Sequence, residues 1–435
     1  MKISILEKAY ITIVVAIFAG IIVHAPLSVW LGTLLPDYDL LIKSWKEILI
    51  VNAVSILVTI ITRRKQWRDI LQDRLCQIIA VYILLHLLLV IAMTHGLIQA
   101  MAGLAIDLRY IIFFGLIYVG LKLFPQYRRL LLSVAIVGAS VVVGFATLQF
   151  FLPADILSHI GYSKDTIMPY LMVDQNPQFI RVNSTLRGPN PLGAYAGMVL
   201  AVLVAALAYK KVDLRGQRVK LVVGLLGLCS LVALWLSYSR SALVAGAIAV
   251  LIVVFVALGR RVSIKTWIVS GIAVCIVGGG LIAAGGTNFV SNVIFHDDPT
   301  TGGTVTSNEQ HAMSLEYGIE RMIQQPLGAG VGSTGSASLY GDSPLVIENQ
   351  YLFIAHEAGW LGLLLFLGIF TTVLVRLWRK RNEWLSLGVF ASGVGLGLIG
   401  LLQPVWVDDT VSVVWWGLAA IALAGKGMYE RKKSK

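Results

Sequence analysis

Residues 63–93 read RRKQWRDILQDRLCQIIAVYILLHLLLVIAM. Five of the first twelve are Lys or Arg, and the next nineteen, Leu75–Met93, carry no Asp, Glu, Lys or Arg. A helix needs about 20 apolar residues to cross a bilayer, so this stretch predicts a basic surface segment feeding a membrane span. The pattern recurs along the chain. Apolar runs fall at Tyr10–Val29, Ile48–Ile61 (extended by Trp45–Leu49), Leu97–Leu121, Leu130–Leu152, Leu192–Ala208, Val219–Leu236, Ala242–Leu258, Trp267–Ala284, Tyr351–Val375, Leu385–Leu402 and Thr410–Ala424. The expected fold is therefore an all-α polytopic membrane protein with about twelve transmembrane helices.

Composition agrees. The 435 residues are 57% hydrophobic and only 13% charged, too apolar for a soluble domain. The net charge of +12 would suit nucleic acid, but its placement argues otherwise. Starting from an inside N-terminus, about 27 of the 35 Lys and Arg residues fall on one side, which the positive-inside rule identifies as cytoplasmic. Both termini are then cytoplasmic, and no nucleic-acid partner is expected. The exceptions are Lys43, Lys46, Arg109, Lys164, Arg181, Arg187, Arg240 and Arg321, and these few cations require another reason. Cys76, Cys229 and Cys275 lie in apolar runs without metal-ligand spacing. The first apolar run is too long for a signal peptide and lacks a small-residue cleavage site, so it is expected to stay as an anchor.

The chain divides into helices 1–5 (1–152), an outer segment (153–191), helices 6–9 (192–284), a larger outer segment (285–349), and helices 10–12 with a cytoplasmic tail (350–435). Long ordered loops in compact proteins usually carry function. In the larger one, Ser307-Asn308-Glu309-Gln310 reads as a capping box, and Leu315, Ile319, Met322 and Ile323 form an apolar stripe ending at Pro326. This amphipathic helix is expected on the membrane surface or over a cleft. The following Gly328-Ala-Gly-Val-Gly-Ser-Thr-Gly335 lacks the Lys-Ser/Thr of a phosphate loop and reads as a tight or mobile turn.

Three polar clusters face outward. In Arg181-Val-Asn-Ser-Thr-Leu-Arg187-Gly-Pro-Asn190-Pro191, Asn190 reads as the N-cap and Pro191 as the first helical residue, with two arginines beside a positive dipole end. That is an arrangement phosphates favour. In Ser237-Tyr-Ser-Arg240-Ser241, a cation at a helix N-terminus calls for an anion nearby. In Glu348-Asn349-Gln350 with His356-Glu357, Asn349, Leu352 and His356 share a helical face. For the arginines, the competing reading is contact with lipid headgroups. Asp107 and Arg109 lie deep in the fourth helix and point in different directions, so each should have its own partner. His311 opens the loop helix, where the dipole favours neutral imidazole. No metal site or cofactor is expected.

At these residues the chain resembles the O-antigen ligase and Wzy-like polymerase family of bacterial membrane glycosyltransferases. The shared features are the Arg-rich stretch ending Gly-Pro-Asn-Pro-Leu-Gly, the Ser-Arg-Ser turn at Arg240, and His311 followed by Gln325-Pro-Leu-Gly-Ala-Gly330. Glu348-Asn349 with Gly359 and Gly362 completes the set. The resemblance spans mainly Arg181 to Gly362 and implies a GT-C-like helical fold. It also implies transfer of a glycan from an undecaprenyl-diphosphate carrier to a lipid or glycan acceptor, as in lipopolysaccharide assembly, at the outer face of the cytoplasmic membrane. No metal takes part. Arg181, Arg187 and Arg240, with Asn190 and Asn349, are the expected diphosphate and substrate contacts, and Glu348 or His311 the catalytic base. The chain departs from the ligase pattern at one point, where Glu348 occupies the histidine slot. A polymerase of polysaccharide repeat units is the nearest alternative, and a transporter or flippase of lipid-linked glycans the alternative of another class.

Overall fold

The computed structural model describes residues 5–93, 96–173, 175–209, 216–259 and 307–424. The chain is mostly helical. Among the described residues nine helices are long and apolar enough to cross a membrane: Ile5–Leu34, Trp45–Arg64, Arg74–Ala92, Leu97–Leu123, Pro125–Gln149, Pro189–Ala208, Gln217–Leu236, Arg240–Ala257 and Gln350–Arg379. Two shorter apolar helices, Trp384–Ile399 and Asp409–Leu423, join them. The predicted span Trp267–Ala284 and residues 285–306 of the larger loop lie outside the described residues. The fold is not purely helical, because segment 153–191 contains a two-stranded antiparallel hairpin, Leu171–Val173 with Asn176–Arg181. That end of the bundle is here called the hairpin end.

The quoted stretch forms the helix Arg74–Ala92. Leu75, Ile79, Tyr82, His86 and Leu89 face inward at three- and four-residue spacing, while Leu84, Leu88 and Ile91 are exposed. An apolar residue thus faces either the core or the lipid, and the inward face is the one that carries Tyr82 and His86. The bundle centres on aromatic rings: Trp406, Trp415 and Trp416 pack on Phe370, Tyr110 and Phe114. Elsewhere small residues let helices approach, as where Gly197 meets Gly246 and Gly395 meets the Ala245 carbonyl.

The first span is interrupted by a 3-10 turn at Ile21–Val23. Pro26 explains it, since its ring displaces the carbonyl four residues earlier and it brings no N–H. Thr410 Oγ1 donates to the Ile21 carbonyl at this kink (3.1 Å). The Gln350–Arg379 helix breaks at Gly359, whose φ of 66° only glycine adopts without strain.

At the end opposite the hairpin, Asp73 ties three elements together. It accepts from Leu75 N as an N-cap, from Tyr118 Oη (2.7 Å), Lys122 Nζ (2.6 Å) and Arg376 Nη2 (2.9 Å). Burial works against its ionisation, yet the hydrogen bonds from Arg376, Lys122 and Tyr118 hold its carboxyl well below the usual carboxylate range. A carboxyl depressed in the folded state contributes stability that is present above the unfolded value, about 3.9, and lost as pH falls. Asp73→Asn is expected to cost about 2 to 3 kcal/mol at neutral pH, the scale of hydrogen bonds to charged groups. The gap to the parent protein should narrow below about pH 4. Thermal unfolding in detergent measures both, and a gap independent of pH would remove the Asp73 charge as its source.

Candidate functional site

At the hairpin end the polar clusters are drawn together. The hairpin packs on the Ser237–Ser241 turn through Phe179 against Tyr238, itself in a left-handed conformation (φ 46°), which closes the tight connection between two spans. Val182 N donates to the Leu236 carbonyl, and Ser184 is held by Gln149 Oε1 and the Val142 carbonyl. So fixed, Arg181 donates through Nε to the Ser237 carbonyl (2.9 Å) and through Nη2 to Asn190 Oδ1 (2.5 Å).

This corrects the reading of Asn190. The helix starts at Pro189 behind Gly188, which provides no side-chain cap. Asn190 is therefore the second helical residue, and its amide oxygen receives Arg181. Glycine-proline began the helix two residues earlier than the Asn-Pro pair suggested, because proline suits a first-turn position wherever its missing N–H is no loss.

The helix after the turn begins at Arg240 itself. Beside it, Ser241 Oγ lies at the limit of contact with Gln403 Nε2 (3.5 Å). Gln403 belongs to the connection between the last two helices, which also holds the third cluster: Asn349 Nδ2 donates to the Leu401 carbonyl (2.7 Å), Gln350 N to the Gly400 carbonyl, and Trp406 N to Gln350 Oε1. One polar rim thus runs from Arg181 and Asn190 through Arg240 and Gln403 to Glu348. Asn349 is the N-cap, accepting from Tyr351 N and Leu352 N, so its amide is engaged in building the helix start. Arg187, exposed, lies near enough to act electrostatically on Tyr162 and Asp408. Burial pushes Asp408 up to about 6, against the pull of the Val411 N–H, with Asp409 adding to the rise and the Arg187 and Arg109 charges opposing it.

Of the two candidate bases and the deeper His356, Glu348 is half-buried, and its N–H donates to Ser314 Oγ (3.1 Å). His311 stands one turn before Ser314, so the backbone brings it near Glu348; its side chain lies outside the described residues. His356 is 2% exposed, inside the bundle.

The expected loop helix forms at Ser307–Gln324. It runs beside the Gln350–Arg379 helix, with Gly318 against Leu352 and the Met322 carbonyl accepting from Trp360 Nε1 (2.7 Å). Leu315, Ile319 and Ile323 are exposed. Close packing selected the small residues Ser314 and Gly318 as its contact face, because a glycine face allows a nearer approach than a Leu/Ile face.

Arg109 and Asp107 do have separate partners. Arg109 donates to the Val407 carbonyl and pairs with Asp409 and, at 3.7 Å, Glu47. Asp409 also meets Lys46 (3.1 Å) and His24 (2.9 Å), which accounts for Lys46 among the cations left unexplained. Asp107 faces His86 (3.6 Å) and lies within electrostatic reach of Glu357. The sequence reading passed over His24, Glu47, His86 and Asp409, and took Glu357 only as the neighbour of His356. The available signal was the rule that ionisable groups within apolar helices need partners. Among the described residues no group of three or more His, Cys, Asp or Glu is placed to hold a metal ion. An apolar groove of about 830 Å³, lined by Leu251, Phe255, Leu374, Trp378 and Phe390, lies towards the opposite end from this rim.

These features define a polytopic membrane protein with a cationic and carboxylate-bearing rim at one end. No protein-family model and no curated protein matches the chain.

Proposed function

We propose that the chain is an O-antigen ligase-like glycosyltransferase of the bacterial cytoplasmic membrane. It transfers a glycan from undecaprenyl diphosphate to a lipid or glycan acceptor at the outer face, with the hairpin end outward. The reading is supported by one observation above the others: Arg181, Arg240 and Glu348, far apart in sequence, share a rim built on helix starts. A diphosphate leaving group needs fixed cations where its charge develops. The acceptor hydroxyl oxygen would bond to the anomeric carbon as the bond from that carbon to the diphosphate oxygen breaks. The hydroxyl proton passes to Glu348, and the carrier diphosphate leaves against Arg181, Arg187 and Arg240. The finer architecture in this reading is twelve spans, GT-C-like, with the 285–349 segment outside.

Orientation follows from the basic clusters inside. A cysteine replacing Leu339, which is 67% exposed, should react with an impermeant thiol reagent in intact cells; labelling only after lysis would reverse the topology.

The buried ion clusters around Arg109 and Asp107 favour a second reading, a transporter of lipid-linked glycans, since such groups often mark a path across the membrane. Their charges are mutually paired, which suits a scaffold better than a path. Purified protein in vesicles, given a lipid-diphosphate glycan and acceptor, should release the carrier diphosphate and form a glycosidic product. Movement of intact donor between leaflets with no release would establish the transporter instead. A product elongated by repeat units would mark a polymerase.

A further inference from the structure

An arginine inside a bilayer is costly unless the protein meets its charge, and Arg109, 5% exposed, is met by a carboxylate and a carbonyl together. Its Nη2 reaches both the Val407 carbonyl and Asp409 Oδ1, so one end of the guanidinium holds the chain on either side of Asp408. Asp409 is gripped from two more helices, by Lys46 Nζ (3.1 Å) of Trp45–Arg64 and His24 Nε2 (2.9 Å) of the first span. Trp45 Nε1 donates to His24 Nδ1 (3.0 Å), which leaves the other ring nitrogen for Asp409. Four helices thus meet at one buried carboxylate, at the end of the 400–408 connection.

That connection bends through turns, with Val405 N on the Gln403 carbonyl (2.8 Å) and Val407 N on the Pro404 carbonyl (3.0 Å). A stretch without a helical ladder takes its shape from the groups that satisfy its backbone from outside. At one end these groups belong to the start of the Gln350–Arg379 helix. The Gly400 carbonyl accepts from Gln350 N (2.8 Å), the Leu401 carbonyl from Asn349 Nδ2 (2.7 Å), and Trp406 N donates to Gln350 Oε1 (2.8 Å). Asn349 and Gln350 directly follow Glu348. At the other end stand Arg109 and the Asp408 cap, whose Oδ1 accepts from Val411 N (2.9 Å). The contact from Gln403 to Ser241, at 3.5 Å, is looser, so the connection is tied more firmly to Glu348 than to the turn of Arg240.

We propose that Arg109 is a positioning residue for the transfer: by holding Val407 and Asp409 it fixes the 400–408 connection, which through Asn349 and Gln350 sets where Glu348 stands. This assignment rests on the reading of Glu348 as the base. It gives the buried ion cluster a task at the rim, although Arg109 touches neither donor nor acceptor. A base displaced by about 1 Å through a change far from the chemistry loses up to about 100-fold in rate, whereas donor binding at the arginines of the rim is left in place.

The test has two readings on the full chain in detergent. In the first, Cys76, Cys229 and Cys275 are replaced by Ala and a cysteine replaces the buried Val405. Its rate of reaction with N-ethylmaleimide is compared with that of a cysteine replacing the exposed Leu401. Arg109→Lys keeps the charge but offers a single ammonium where the guanidinium is shared between Val407 and Asp409. It should raise the rate at position 405 about tenfold, the scale of one lost hydrogen bond to a charged group. In the second, with native cysteines and a lipid-diphosphate glycan, Arg109→Lys should lower turnover at saturating donor by about 10- to 100-fold, with the donor KM within about threefold of the parent. Asp409→Asn keeps the side-chain shape, should act in the same direction, and serves if the Lys variant fails to fold. Protection and turnover unchanged in both variants would overturn the proposal. So would a donor KM that rises in step with the fall in turnover, the mark of a general loss of structure. If the parent itself releases no carrier diphosphate, the reaction assigned above fails and Arg109 has no transfer to position; protection at position 405 then shows only whether it anchors the connection.

Discussion

Arg240→Ala is expected to lower glycan transfer by about 100- to 1000-fold, the scale set by removing one fixed donor from a developing oxyanion, while the protein stays inserted and folded. Arg240 is the first residue of its helix, where the dipole disfavours a cation and favours an anion. In the proposed reaction, a bound diphosphate would supply such an anion. Arg240→Lys should recover little, because an ammonium offers a point charge in place of a planar fork that engages two phosphate oxygens. Arg181 makes a useful comparison. Its Nε and one Nη are committed to Ser237 and Asn190, so Arg181→Ala should weaken the rim's architecture and lower thermal stability as well as activity. Turnover and donor binding with a lipid-diphosphate glycan separate the two. Full activity in Arg240→Ala would remove it from the mechanism, and full activity in Arg240→Lys would reduce the site to general electrostatics.

Glu348→Gln is expected to lower turnover at saturating donor by about 100- to 10,000-fold, the usual contribution of a positioned general base, with donor binding retained. A carboxylate just before a helix often serves only as its cap, but that role is taken here by Asn349, whose side chain accepts from Tyr351 N and Leu352 N. Glu348 stands beside that cap, its N–H donating to Ser314 Oγ. His311→Ala is the control, since its helix comes to the same place, and His356 is too deeply buried to meet a water-soluble sugar. If Glu348→Gln keeps turnover within about threefold while His311→Ala loses it, the base is His311.

Much was legible from the chain alone where the physical rule is local. A run such as Leu75–Met93 without charge, bounded by basic clusters, specifies a helix for the bilayer through backbone hydrogen bonding in a medium with no water to replace it. The extension of the second helix to Trp45 follows the same rule, and the helix from Ser307 follows from its capping box and apolar spacing. Asp107 and Arg109 were recognised as needing separate partners, because residues two apart on a helix point in different directions.

The identity of those partners was not legible. Asp409 and Glu357 lie some 300 and 250 positions along the chain from Arg109 and Asp107, and nothing in an apolar run tells which face turns inward, since lipid and core are equally apolar. Nor did the loop helix's Leu/Ile stripe reveal that Ser314 and Gly318 would be its contact face. Gly359 could be seen as a glycine, but only the docking of residues 326–330 against the broken helix gave that glycine its purpose. Which segments leave water follows from composition, because hydration is a property of each residue. Which charges meet emerges only in the folded bundle, because pairing depends on distances that the chain closes in space.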